Sequence, residues 1–213
     1  MKSIALLICL LSLTLTLQAQ SEKYRNAMSA MLQKAGTVQT LDETVAIANS
    51  FTRIAEAEKS EWTAWYYAAF YNLSANFKES DKEKKKLYID QAQKMIETGL
   101  TLKPEETEFM VIKVMSYYAT MAMDPMNAMP LLSEANELIR KAKTINPDNP
   151  RIYFIEAQAI YNMPVGFGGG KEKALPVLLV AKEKFDKFVP SDNLVPNWGR
   201  EQCDSMVISA QTK

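Results

Sequence analysis

The feature that most restricts this chain is a three-residue stripe that returns four times. Ala92, Ile96 and Gly99 stand four and three residues apart, with Pro104 five further on. Ala135, Ile139, Ala142 and Pro147 repeat that spacing. Ala174, Leu178 and Ala181 repeat it with Asp186 in the proline place, and Ala48, Thr52 and Ala55 with Ser60 there. Steps of four and three put the three side chains on one face of a helix. Small residues at both ends of the stripe let a neighbouring helix come close. The proline cannot continue its helix but can begin the next. Successive stripes are offset by 44, 43 and 39 residues, which reads as stacked helix pairs.

An aromatic-rich segment follows each of the first three stripes: Glu61–Leu73, Glu105–Met121 and Pro150–Asn162. A helix carrying a large and a small residue, then a helix with small–large–small, then proline, resembles the tetratricopeptide repeat (TPR) family. The resemblance covers roughly residues 22–190 and rests mainly on the stripes. Its large residue early in helix A matches Trp65, Met110 and Tyr153, and its small residue matches Ala69, Val114 and Ala157. The family implies an all-α, right-handed superhelical array of about four helix pairs. A capping helix is expected at about 196–212, where Cys203, Met206, Val207 and Ala210 share one face. The residues beyond the family's usual period are expected as long loops at 76–86, 123–130 and 163–170. Thr40/Glu43 and Ser80/Glu83 have capping-box spacing, and Asn149-Pro150 offers a cap and a helix-starting proline. Pro176 should kink the last helix or delay its start.

Residues 1–19 read as a signal peptide: Lys2, an apolar run from Ile4 to Leu17, and a small residue at Ala19. The run is too short to span a bilayer as a helix. Cys9 lies inside it and is poorly placed for lipidation. Cleavage leaves residues 20–213 as one domain with Cys203 as its single cysteine, so no internal disulfide is expected in a periplasmic location. Lys+Arg and Asp+Glu are 25 each, which gives no footprint for nucleic acid. The chain has no histidine, which removes the commonest general base and every His metal site. No catalytic residues and no cofactor are expected.

Several motifs have an ordinary reading. Gly166 and Gly168–Gly170 precede Lys171, but Glu172 stands where a phosphate loop needs Ser or Thr. A turn into helix B is expected. That loop also resembles a helix junction of the TPR-containing T-component of periplasmic TRAP transporters. Met121, Met123, Met126 and Met129 could hold Cu(I) as thioethers, but methionine also fills irregular gaps. Lys113 and Glu156 occupy equivalent positions in adjacent units and are expected to meet.

The TPR resemblance implies that helix A residues one and five after the early large residue line a concave face. Here these are Tyr66 and Phe70, Val111 and Met115, and Phe154 and Gln158, with Tyr118 and Tyr161 extending the patch. A protein or peptide bound in this aromatic groove is the expected function. The family's Lys/Asn carboxylate clamp is missing. The alternative is a transport accessory that encloses a small apolar solute over the same aromatics. A third is an envelope component that binds through the loop edge.

Overall fold

The computed structural model describes residues 22–212, so the expected signal peptide lies outside the described part. Among the described residues the chain is all-helical, with no strand. The helices are α1 (residues 22–35), α2 (Leu41–Ala57), α3 (Trp62–Lys78), α4 (Lys82–Leu102), α5 (Thr107–Met123), α6 (Ala128–Ile145), α7 (Pro150–Asn162), α8 (Lys171–Lys187) and α9 (Arg200–Gln211). From α2 onward they pack in adjoining pairs. In addition α3 touches α5, and α5 touches α7, so these three form a row. None of the described helices is long and apolar enough to cross a membrane.

The stripes hold the row to the helices behind it. Ala92 and Ile96, Ala135, Ile139 and Ala142, and Ala174, Leu178 and Ala181 are all buried. A Cβ built on Gly99 would stand 1.9 Å from the Phe109 ring, so only glycine admits that ring. Ala48 and Ala55 are buried, while Thr52 between them is partly exposed.

Local chemistry sets the boundaries. Thr40 and Glu43 form the expected capping box, and Asn149 accepts from the Arg151 backbone N–H. At α4 the cap is Asp81, which accepts from Lys84, rather than Ser80. Two of the expected long loops are short. The extra residues lengthen α3 and α4, and a single 3₁₀ turn, Pro125–Asn127, joins α5 to α6. The 163–170 connection is a true loop. It uses glycine at φ 85° (Gly168) and 101° (Gly170), conformations other residues rarely adopt. Pro176 lies within α8, which nonetheless starts at Lys171. Proline is best tolerated near a helix start. The final helix, α9, packs on α8 with Cys203 and Val207 buried.

Between α8 and α9, residues 188–199 run as an irregular strap. Asp192 and Asn193 reach Arg25 of α1. Leu194 is buried in the core built by α1–α5. Trp198 packs against Phe70 of α3 and Phe154 of α7. The strap therefore ties the two ends of the chain together across the α3–α5–α7 row.

The Lys113–Glu156 pairing does not form. Glu156 takes Lys143 of α6 at 2.6 Å, and the Lys113 ammonium lies 6.0 Å from the Tyr117 ring centre. The buried ion pair is Glu108–Arg151, on the same two helices but nearer their starts.

Candidate functional site

An open groove of about 790 Å³ lies on the α3–α5–α7 row, beside the strap. That volume is within the range of small-molecule sites. Its walls follow from helical periodicity. Phe70 and Phe77 on α3 are seven apart, Met115, Tyr118 and Met121 on α5 step by three, and Phe154, Gln158 and Asn162 on α7 step by four. Such steps keep one face of each helix towards the cleft. Leu132 of α6 and Met163 and Pro164 of the glycine loop close one side. Trp198 of the strap and Gln202 of α9 complete the lining.

Of the eight residues expected at the site, five line this groove: Phe70, Met115, Tyr118, Phe154 and Gln158. Phe154 is nearly fully buried and also packs against Phe185 of α8. The other three lie elsewhere. Tyr66 is fully buried, and its hydroxyl accepts from the Trp198 indole N–H at 2.7 Å. Val111 is buried in the core between α5 and α7. Tyr161 hydrogen-bonds Ser209 of α9 at 2.8 Å, away from the cleft. Sequence reasoning missed the Leu132, Ile155, Met163 and Pro164 side of the lining, and two further kinds of residue. Phe77, Met121 and Asn162 continue the helical stripes by further turns, so extending the period would have found them. Trp198 and Gln202 come from distant sequence and carry no local signal.

Among the described lining residues no side chain is charged. The polar groups are the Gln158, Asn162 and Gln202 carboxamides and the Tyr118 hydroxyl. Burial pushes the Tyr118 phenol up to about 12, helped by the Glu156 carboxylate, so it stays protonated at neutral pH. Met126 and Met129 are widely exposed, whereas Met121 lines the groove with Met115 and Met163. No group of His, Cys, Asp and Glu suited to a metal is found among the described residues. Cys203 is free and buried, and burial pushes its thiol up to about 11, which disfavours reactive thiolate.

At the N-terminal ends of the same helices the polar chemistry is concentrated and dry. Arg151 grips Glu108 through Nε and Nη2, at 2.7–2.9 Å. Asn149 donates to Glu108 at 2.8 Å and to Thr107 at 3.0 Å. The guanidinium also lies 4.5 Å from the centre of the Phe188 ring in the strap. Desolvation works against the Arg151 charge, but the Glu108 carboxylate outweighs it and holds the guanidinium protonated.

The described residues thus define an all-helical fold that carries an apolar, aromatic, uncharged groove. No family model and no curated relative matches the chain. Among solved structures it is similar to the HusA haemophore from Porphyromonas gingivalis, at 26% identity and a TM-score of 0.77. The match covers 88% of this chain and 92% of that one.

Proposed function

We propose that this chain is an exported, non-catalytic binding protein that carries haem or a closely related flat tetrapyrrole in the α3–α5–α7 groove. One observation carries the reading: the groove is large, aromatic and uncharged, and it belongs to a chain that resembles a haemophore over nearly its whole length. A flat apolar macrocycle buries large area against Phe, Trp and Met side chains. The apolar run at residues 4–17 agrees with work outside the cytoplasm. The helix pairs are read as a divergent TPR-like array, supported by the burial of three of the four repeated stripes and of both small residues of the fourth.

The donors available to haem iron are few. Iron in haem proteins is held by His, Cys, Met or Tyr. The chain has no His and Cys203 is buried against α8, which leaves the Tyr118 phenol among the lining residues. The thioethers of Met115, Met121 and Met163 line the groove. With neither His nor Cys in the lining, most of the grip is assigned to the apolar contact with the macrocycle. Titration of hemin into the purified protein should give a saturable Soret shift. Metal-free protoporphyrin should bind within about tenfold of hemin, or ~1.4 kcal/mol. Absence of a saturable shift with either compound counts against the proposal.

A second reading is an apolar peptide in the same groove. The three carboxamides there favour it, because they can hydrogen-bond a backbone. It predicts a partner that cross-links to the groove and is displaced by Phe70→Ala, with hemin inert. An accessory that encloses a small solute is less well supported, since the cleft is open.

A further inference from the structure

We propose that Trp198 is the aromatic wall on which the cargo stacks, and that Tyr66 is a positioning residue that sets the angle of that wall. The inference rests on the reading of the groove as a tetrapyrrole site. Trp198 lies on a strap with no helical hydrogen bonds of its own, so its ring must be fixed by side-chain contacts. Three are present. Its indole N–H donates to the Tyr66 hydroxyl at 2.7 Å. Its ring packs 5.1 Å from Phe70 and 6.4 Å from Phe154, centre to centre. The following residue, Gly199, turns at φ 102°, and a Cβ there would stand 2.8 Å from the Phe185 ring.

The ring is only half-buried and lines the groove, while Tyr66 beneath it is wholly buried. Tyr66 is itself stacked on Phe70, with ring centres 6.2 Å apart and planes within 10°. One buried side chain thus touches two walls of the groove, Trp198 through its hydroxyl and Phe70 through its ring, without lining the cleft itself. A flat ligand is sensitive to such an angle, because offset stacking needs near-parallel faces. An indole N–H that loses its acceptor can swing towards water, and the wall tilts with it.

The experiment is a double-mutant cycle read by hemin and protoporphyrin titration. Four proteins are compared: wild type, Tyr66→Phe, Trp198→Phe and the double variant. Tyr66→Phe should weaken binding about fivefold or more while far-UV circular dichroism is unchanged. Trp198→Phe keeps an aromatic face but loses the N–H anchor, so it should weaken binding by about the same factor as Tyr66→Phe, whereas Trp198→Leu should lose about tenfold or more. In the Trp198→Phe background Tyr66→Phe should have no further effect, since phenylalanine has no N–H to hold. If wild type binds but Tyr66→Phe is silent, the positioning role is overturned and the groove reading stands. It is equally overturned if Tyr66→Phe weakens binding by the same factor in both backgrounds. If wild type binds neither compound, the groove reading and this inference fall together.

Discussion

The two ends of one row of helices meet different surroundings. At their N-terminal ends α3, α5 and α7 carry Tyr66, Glu108, Val111 and Arg151, all covered and dry. At their C-terminal ends they carry Phe77, Met121 and Asn162, which face the open cleft. Both ends of α3 are aromatic, so residue type does not separate them. The strap does. Where residues 188–199 cross the row, aromatic side chains become core and the polar ones must satisfy each other. Beyond Trp198 the same helical faces become a groove. The dry end also holds a buried ion pair, while the groove lining has no charge at all. A buried ion pair needs complete hydrogen bonding, whereas an apolar ligand is best received by a surface with no charge to desolvate.

The largest effect expected from this contrast is at the covered end. Arg151→Met or Glu108→Gln alone leaves one charge or its partners unsatisfied and should cost about 3–5 kcal/mol in urea unfolding. The paired change Glu108→Leu with Arg151→Met should recover most of that loss. If each single change costs under about 1 kcal/mol, the covered end is wetter than described. Next in size is the strap's anchor. Leu194→Ala should destabilise by roughly 2–5 kcal/mol, as for other buried leucines. A surface-like value would mean that the strap is not part of the core. At the open end the effect should move from stability to affinity. Phe70→Ala should weaken hemin binding by about 2 kcal/mol, and Tyr161→Phe should leave the isotherm unchanged. Equal effects from both would erase the boundary drawn here.

The smallest effect concerns Glu106, at the start of α5. Burial raises its carboxyl pKa above the ordinary 4.5. A carboxyl that holds its proton more tightly when folded costs stability as pH rises through that range. Glu106→Gln should therefore raise Tm slightly at pH 7. The gain should vanish below the ordinary value of 4.5, where both states are protonated. A gain independent of pH would show that burial of this charge is not the cause.

Much of the fold was legible because it is local. The stripes mark buried faces, and α7 runs from Pro150 to Asn162 as read from its cap and proline. The groove was legible along helices whose period is regular, which is why Phe70, Met115, Tyr118, Phe154 and Gln158 were found together. Tyr66 and Val111 were misplaced for a different reason. The feature that covers this end of the row arrives from the far end of the chain, and the Trp198–Tyr66 bond spans 132 residues. The ion pair makes the same point. Glu108 and Arg151 are 43 residues apart, the spacing of one repeat, and so are Lys113 and Glu156. Register alone cannot choose between them. Solvent access does: Glu156 is within reach of Lys143 at a partly exposed site, and Arg151 is sealed under Trp198 and Phe188.

The strap also orders events during synthesis. Contacts between neighbouring helices are close in sequence and can form as the chain emerges, quickly and pair by pair. The covering of Tyr66 must wait until residue 198 exists and can swing back across the row. Until then the Tyr66–Phe70 part of α3 lacks the cover of Trp198. A nascent chain paused before Phe188 is therefore a different object from the finished one: largely helical, but with an unsealed adhesive face, a natural client for holdase chaperones.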